Sequence, residues 1–160
     1  MGKGPLSGIK IIEMTGIGPG PFCAMLLSDM GAEVLRIDRK GGSGGIPNDP
    51  HSRGRRSVAV DLKNPQGVET VLKLVEGAHV LQEGYRPGVM DSLGLGPEVV
   101  CKANPRLVNI SVTGFGTVGP LAARPAYDHV IQGISGLTGL QGGDYADAEN
   151  AEFDFIRMLI

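Results

Sequence analysis

Bases stand beside several apolar runs in this chain of 160 residues. Arg39 follows Asp38 directly behind the run Val34–Ile37. Arg53, Arg55 and Arg56 precede the alternating segment Ser57–Leu62, and Asp61-Leu62-Lys63 closes it. Tyr85-Arg86 lies just beyond the short run His79–Leu81. A guanidinium at a strand end can clamp a phosphate near a ribose, because its planar fork offers paired N–H donors to paired oxygens. Bases recurring at successive strand ends fall on the edge where open α/β sheets hold ligands. The pattern points to a phosphate-bearing ligand, with Arg39 and Arg86 its strongest candidates.

The stretch Gly16-Ile17-Gly18-Pro19-Gly20-Pro21 separates an apolar run, Ile9–Met14, from a helical pattern, Phe22–Met30. Gly18 and Asp38 have the spacing of a dinucleotide fingerprint and its ribose-binding acid. The glycines nonetheless read G-x-G-x-G, and Pro19 and Pro21 lack the N–H groups that would cradle a pyrophosphate. A dinucleotide site, a plain tight turn and a different nucleotide-bearing ligand stay open, and the residues favour the last.

Other chemistry-bearing residues say less. Cys23 falls at a helix start, where the dipole would lower a thiol pKa, but it reads as a small buried apolar residue. Cys23 and Cys101 are too few and too far apart for a disulfide framework or a zinc site. His51, His79 and His129 show no metal spacing, so no metal is expected, and His79 reads as structural. Tyr127-Asp128-His129 is the local cluster able to do acid–base work, or else a helix start with Asp128 as its acid.

The elements that must position these residues alternate. Strands at Ile9–Met14, Val34–Ile37, Ser57–Leu62, His79–Leu81 and Leu107–Val112 are separated by helices at Phe22–Met30, Pro65–Glu76, Val89–Leu93 and Pro97–Ala103. Such alternation predicts an α/β fold with a doubly wound, mostly parallel sheet. Gly41 to Arg56 reads as a flexible loop, Thr113–Pro120 as a glycine-rich loop, and Tyr127–Leu140 as a helix and turn. The last segment, Phe153–Ile160, turns apolar and stops, as expected of the N-terminal part of a longer protein.

Composition narrows the partners. A net charge of −2 argues against nucleic acid, and few aromatics with no tryptophan disfavour a stacking-based single-strand binder. No stretch approaches a membrane span and the first residues have no apolar leader, so a cytoplasmic protein is expected.

Taken in order, these segments resemble the class III CoA-transferase family (CaiB/BaiF-like), which includes formyl-CoA transferase and the α-methylacyl-CoA racemases. The likeness runs through Gly4–Ile9, the Gly16–Pro21 stretch, Met30–Val34 with Arg39, Arg53–Lys63, Glu83–Val89, Leu93–Gly96, Asn104–Leu107, and Thr113–Gly116 with Gly119-Pro120. It implies a Rossmann-like fold in interlocked homodimers, with coenzyme A as substrate and no permanently bound cofactor. It places the CoA nucleotide end at Arg39 and Arg86, beside a groove of Asp61, Leu62, Lys63, Gly84, Tyr85, Gly88 and Val89, and the thioester near Ile17. Racemases carry His-Asp where this chain has Tyr127-Asp128, and tyrosine, with a pKa near ~10, is a poor base. The resemblance therefore implies a transferase moving CoA between carboxylic acids. An aspartate attacks the donor thioester, passes through a mixed anhydride and becomes an aspartyl-CoA thioester. That aspartate is expected just beyond Ile160, with Tyr127 and Asp128 as contributors. A racemase and a CoA-binding fragment without chemistry are the alternatives.

Overall fold

The computed structural model describes residues 4–41 and 49–137, and the chain forms two compact units, Met1–Arg124 and Pro125–Ile160. In the first unit five strands, β1 (Lys10–Met14), β2 (Glu33–Arg39), β3 (Arg56–Val60), β4 (Val80–Glu83) and β5 (Val108–Ser111), form one sheet. The spatial order is β3-β2-β1-β4-β5 and every neighbouring pair is parallel. The chain winds outward from β1 in one direction, returns, and winds outward in the other. The order reverses between β1 and β4, which is where a doubly wound sheet opens a crevice at its carboxyl edge.

Alternation along each strand assigns the helices to faces. Ile12, Met14, Ile37 and Leu81 point to one side and are sealed by Val71 and Val75 of α2 (Pro65–Glu76), Met90 of α3 (Val89–Ser92) and Val100 of α4 (Pro97–Ala103). Ile11 and Val34 point to the other side, against Ala24 of α1 (Pro19–Asp29) and Ala32. The helices thus lie on both faces of the sheet, as the alternating pattern predicts.

Helix α1 begins three residues before the predicted start at Phe22. Gly18, at φ +69°, takes the N-cap position and Pro19 the first helical one. Proline suits that position, since its missing N–H would have no helical partner there and its fixed φ is already helical. The second half of the stretch expected to be loop, Pro19–Pro21, is thus helix. Strand β3 ends at Val60, which leaves Asp61 and Leu62 in the turn behind it, and β4 runs from Val80 to Glu83. His79 stands just outside β4, and its Nδ1 accepts the Lys10 backbone N–H at 3.0 Å, a structural task. Of the segment expected to be a flexible loop, residues 42–48 lie outside the described residues, and so does Phe153–Ile160.

The second unit contributes α5 (Asp128–Ser135), closed by Gly136 at φ +76°. Among the described residues no helix is long and apolar enough to cross a membrane.

Candidate functional site

Because all five strands run the same way, their following turns gather on one edge. Ile17 leaves from β1, Arg39 ends β2, Asp61-Leu62-Lys63 follows β3, and Gly84-Tyr85-Arg86 with Gly88 and Val89 follows β4. The ten residues named as a CoA groove thus share the carboxyl edge of the sheet. Ile17 is 81% exposed, an apolar side chain offered to solvent beside the point where the strand order reverses.

Each turn has its own anchor. The Asp61 carboxylate accepts the Lys63 N–H at 3.0 Å, and Asn64 Oδ1 accepts the Gln66 N–H at 3.0 Å to cap α2. Gly67 lets α2 approach this turn closely, since a Cβ there would lie within 2.2 Å of the Asp61 carbonyl oxygen. Beyond β4, the buried Glu83 carboxylate accepts the Tyr85 N–H at 2.7 Å. Gly88, at φ +86°, turns the chain into α3. Leu62 and Lys63 also border an open groove of about 550 Å³, walled by Val68 and Leu72 of α2 and by Ser92 and Leu93.

Electrostatics tie β2 and β4 ends together. Burial pushes the Tyr85 phenol above its usual pKa and the Glu83 carboxylate adds to this, while the Arg39 guanidinium pulls it back and Asp38 raises it again. Arg39 therefore faces the same space as Tyr85, whose hydroxyl stays protonated as a donor. The ion pairs formed among the described residues engage Arg36, Arg53, Arg55, Arg56, Lys73 and His51, and leave out Arg39, Lys63 and Arg86. Those three exposed cations are open to an anionic ligand.

The arginines ahead of β3 have another task. Arg53 and Arg56 meet acids toward the amino edge, while Arg55 reaches along the α1 face to an acid in β1. Arg53 pairs with Asp29 at 2.6 Å, Arg56 approaches Glu33 at 3.7 Å, and Arg55 grips Glu13 at 2.5 Å with both side chains almost fully buried. Asp38, at the spacing of a ribose-binding acid, instead holds Arg36 at 3.1 Å. The dinucleotide reading loses its acid to that pair. It also loses the helix start: Pro19 and Pro21 leave Gly20 as the sole N–H donor among the first three residues of α1.

Two buried polar residues of this region went unnoticed in the sequence, Glu13 and Gln82. They are register partners on β1 and β4, so both side chains lie on the α1 face. Their signal was present, as a polar residue two places after an apolar one in otherwise apolar strands. In the second unit Tyr127 precedes α5, and its ring stacks on that of His129 with centroids 6.0 Å apart. Asp128 is the first helical residue and accepts from Gln132 Nε2 at 2.5 Å.

Comparison with known proteins assigns the family. The profile of CoA-transferase family III matches residues 6–156. The chain belongs to this family. It is 41% identical over 132 residues to α-methylacyl-CoA racemase of Homo sapiens, and 39% identical over 147 residues to acetyl-CoA:oxalate CoA-transferase of Acetobacter aceti. These alignments cover 82% and 84% of the chain but 34% and 38% of those proteins, so the chain spans about a third of the curated relatives it matches. The crystal structure of Rv3272 from Mycobacterium tuberculosis superposes with a TM-score of 0.77 at 36% identity, covering 84% of this chain and 40% of that one. A CaiB/BaiF family protein from Brucella suis gives a TM-score of 0.75 at 34% identity, with 83% and 39% covered. Membership in CoA-transferase family III accounts for the parallel α/β fold.

Proposed function

We propose that residues 1–160 form the CoA-binding N-terminal part of a class III CoA-transferase, which moves CoA from an acyl-CoA donor to a carboxylic acid acceptor. The observation that carries the reading is that three cations on one sheet edge, Arg39, Lys63 and Arg86, have no ion-pair partner among the described residues. CoA brings a diphosphate and a 3′-phosphate, which suit these bases, and an acyl-thioester, which suits the apolar Ile17. In this reading Arg39 and Arg86 hold the nucleotide end. Asp61, Leu62, Lys63, Gly84, Tyr85, Gly88 and Val89 line the path between. The attacking aspartate follows Ile160, and Tyr127 and Asp128 contribute near it. The full-length protein works in the cytoplasm as an interlocked homodimer.

Calorimetry with CoA tests the reading. A charge-assisted hydrogen bond contributes about 1.5–3 kcal/mol, so Arg39→Ala and Arg86→Ala should each weaken CoA by about 10- to 100-fold. Dephospho-CoA should lose affinity toward the wild-type chain, and NAD should fail to displace CoA. Displacement by NAD at matched concentrations would sink the proposal.

A racemase is the second reading, favoured by the 41% identity to α-methylacyl-CoA racemase. Tyr127 speaks against it, since a phenol is a weak base near neutrality. Incubation with a chiral 2-methylacyl-CoA in heavy water separates the two. Exchange of the α-proton marks a racemase, and labelled CoA reaching a second carboxylate marks a transferase.

A further inference from the structure

Gln82 is 1% exposed, and its carboxamide spans two elements that the sequence keeps far apart. Its Nε2 donates to the Gly20 carbonyl in the first turn of α1 at 2.6 Å, while its Oε1 has no partner among the described residues. A carbonyl can only accept, so the nitrogen must face Gly20 and the amide orientation is fixed. An acceptor left without a donor is costly in a dry interior, and a side chain kept for packing alone would be leucine or methionine. A Cβ at Gly20 would lie 3.5 Å from Nε2, an ordinary contact, so the bond depends on the Gly20 carbonyl and not on the missing side chain.

The place of this bond gives it a task. It runs on the α1 face from β4 to the helix that follows β1, the two strands between which the order reverses. Gly20 stands three residues after Ile17, and Gln82 two residues before Gly84. One hydrogen bond therefore joins the turn that presents Ile17 to the strand end that presents Tyr85 and Arg86. Among the described residues no other side-chain hydrogen bond fastens one turn to the other.

We propose that Gln82 is a positioning residue that sets the start of α1, and with it Ile17, against the β4 end. The proposal rests on the CoA reading above. With the nucleotide end held by Arg39 and Arg86, this bond fixes where the thioester end can lie. It touches no part of the ligand itself.

Two probes separate the ends of the site: adenosine 3′,5′-bisphosphate, which has the nucleotide end alone, and acetyl-CoA. In the 160-residue chain Gln82→Met keeps the volume and removes the donor. It should bind the nucleotide probe as the wild type does and acetyl-CoA about three- to tenfold more weakly, the range of one hydrogen bond. Amide hydrogen exchange should quicken over residues 15–22 and stay unchanged in β2 and β5. Equal loss of both probes, or undiminished acetyl-CoA binding, overturns the proposal. Should Gln82→Met lose its circular dichroism, Gln82→Glu replaces it. A buried carboxyl donates while protonated and repels the Gly20 carbonyl once ionised, so acetyl-CoA affinity must then fall with rising pH relative to the nucleotide probe. A constant ratio of the two affinities overturns the proposal. If the wild type binds neither probe, the CoA reading fails by itself. Exchange over residues 15–22 then decides the role of Gln82, with unchanged rates in the variant overturning it.

Discussion

Replacing Arg55 by methionine should be among the most damaging single changes in the first unit. Arg55 and Glu13 are 2% and 1% exposed, and Arg55 Nη1 lies 2.5 Å from both carboxylate oxygens while Nη2 donates to the His51 carbonyl. Removing one partner of such a pair strands the other charge in a dry interior, at a cost of about 3–5 kcal/mol. For a chain of this size each kcal/mol moves the melting midpoint by about 2–4 °C, so the drop should be roughly 6–20 °C. The chain has no tryptophan, so far-UV circular dichroism in urea is the suitable probe, read as a lower midpoint at constant slope. The double variant Glu13→Gln/Arg55→Met removes both charges and should recover most of the loss, giving a coupling energy of more than about 2 kcal/mol. Additive effects of the two substitutions would refute the reasoning, and so would an Arg55→Met midpoint within about 1 kcal/mol of wild type.

The same pair predicts a pH dependence. Burial pushes the Glu13 carboxyl above its ordinary value of 4.5, outweighing the pull of Arg55. The folded chain therefore holds this proton longer than the unfolded chain. Stability from this group falls as pH rises from 4.5 to the raised folded value, and is level beyond it. Glu13→Gln should lack that decline. In Arg55→Met the carboxyl loses its counter-charge and rises further, so the cost of the substitution should grow by up to about 1.4 kcal/mol per pH unit above the wild-type transition. A cost that shrinks with rising pH would reverse the sign and refute it.

Other substitutions test how the edge is built. Gly67→Ala gains about 1 kcal/mol of helix propensity but must push α2 off the Asp61 carbonyl, so a net loss of about 1–2 kcal/mol and weaker CoA binding through the displaced 61–63 turn are expected. A more stable variant would show that the close approach is absent. Asn104→Ala removes donors to the Val75 and Ala78 carbonyls at 2.9 and 2.8 Å, and should cost about 2–4 kcal/mol by urea denaturation. Asn104→Asp should be worse above the carboxyl pKa, where an ionised group faces those two oxygens.

How far the chain is legible follows from what each segment relies on. Helices α2 and α4 start at Pro65 and Pro97 and end where their apolar faces end, so local signals were enough. Helix α1 escaped because its own first turn, Pro19-Gly20-Pro21, is written in residues that usually break helices, and only the first proline fits the N-terminal rule. The bases divided for a similar reason. Arg39 and Arg86 follow strands and Arg53, Arg55 and Arg56 precede one, yet sequence proximity does not say which edge is meant. The parallel register, Leu35 against Arg56, and the acids that hold Arg53, Arg55 and Arg56 remove the second group from ligand duty. Glu13 and Gln82 were invisible as partners because their neighbours, Arg55 and Gly20, lie 42 and 62 residues away.

The division of bases bears on the ligand as well. A nucleotide site built on the β1–α1 turn would take its phosphates on backbone N–H groups and the positive end of the helix. Here prolines occupy two of the first three helical positions, and the remaining Gly20 gives its carbonyl to Gln82. The turn is thus poor in donors and presents an exposed Ile17, while the cations left without an acid among the described residues follow the neighbouring strands. Cationic and apolar side chains are thus separated along one edge. A ligand that carries its phosphates at one end and an apolar, uncharged reacting group at the other satisfies both halves. A dinucleotide, with its charge at the centre, would set its pyrophosphate against the two prolines.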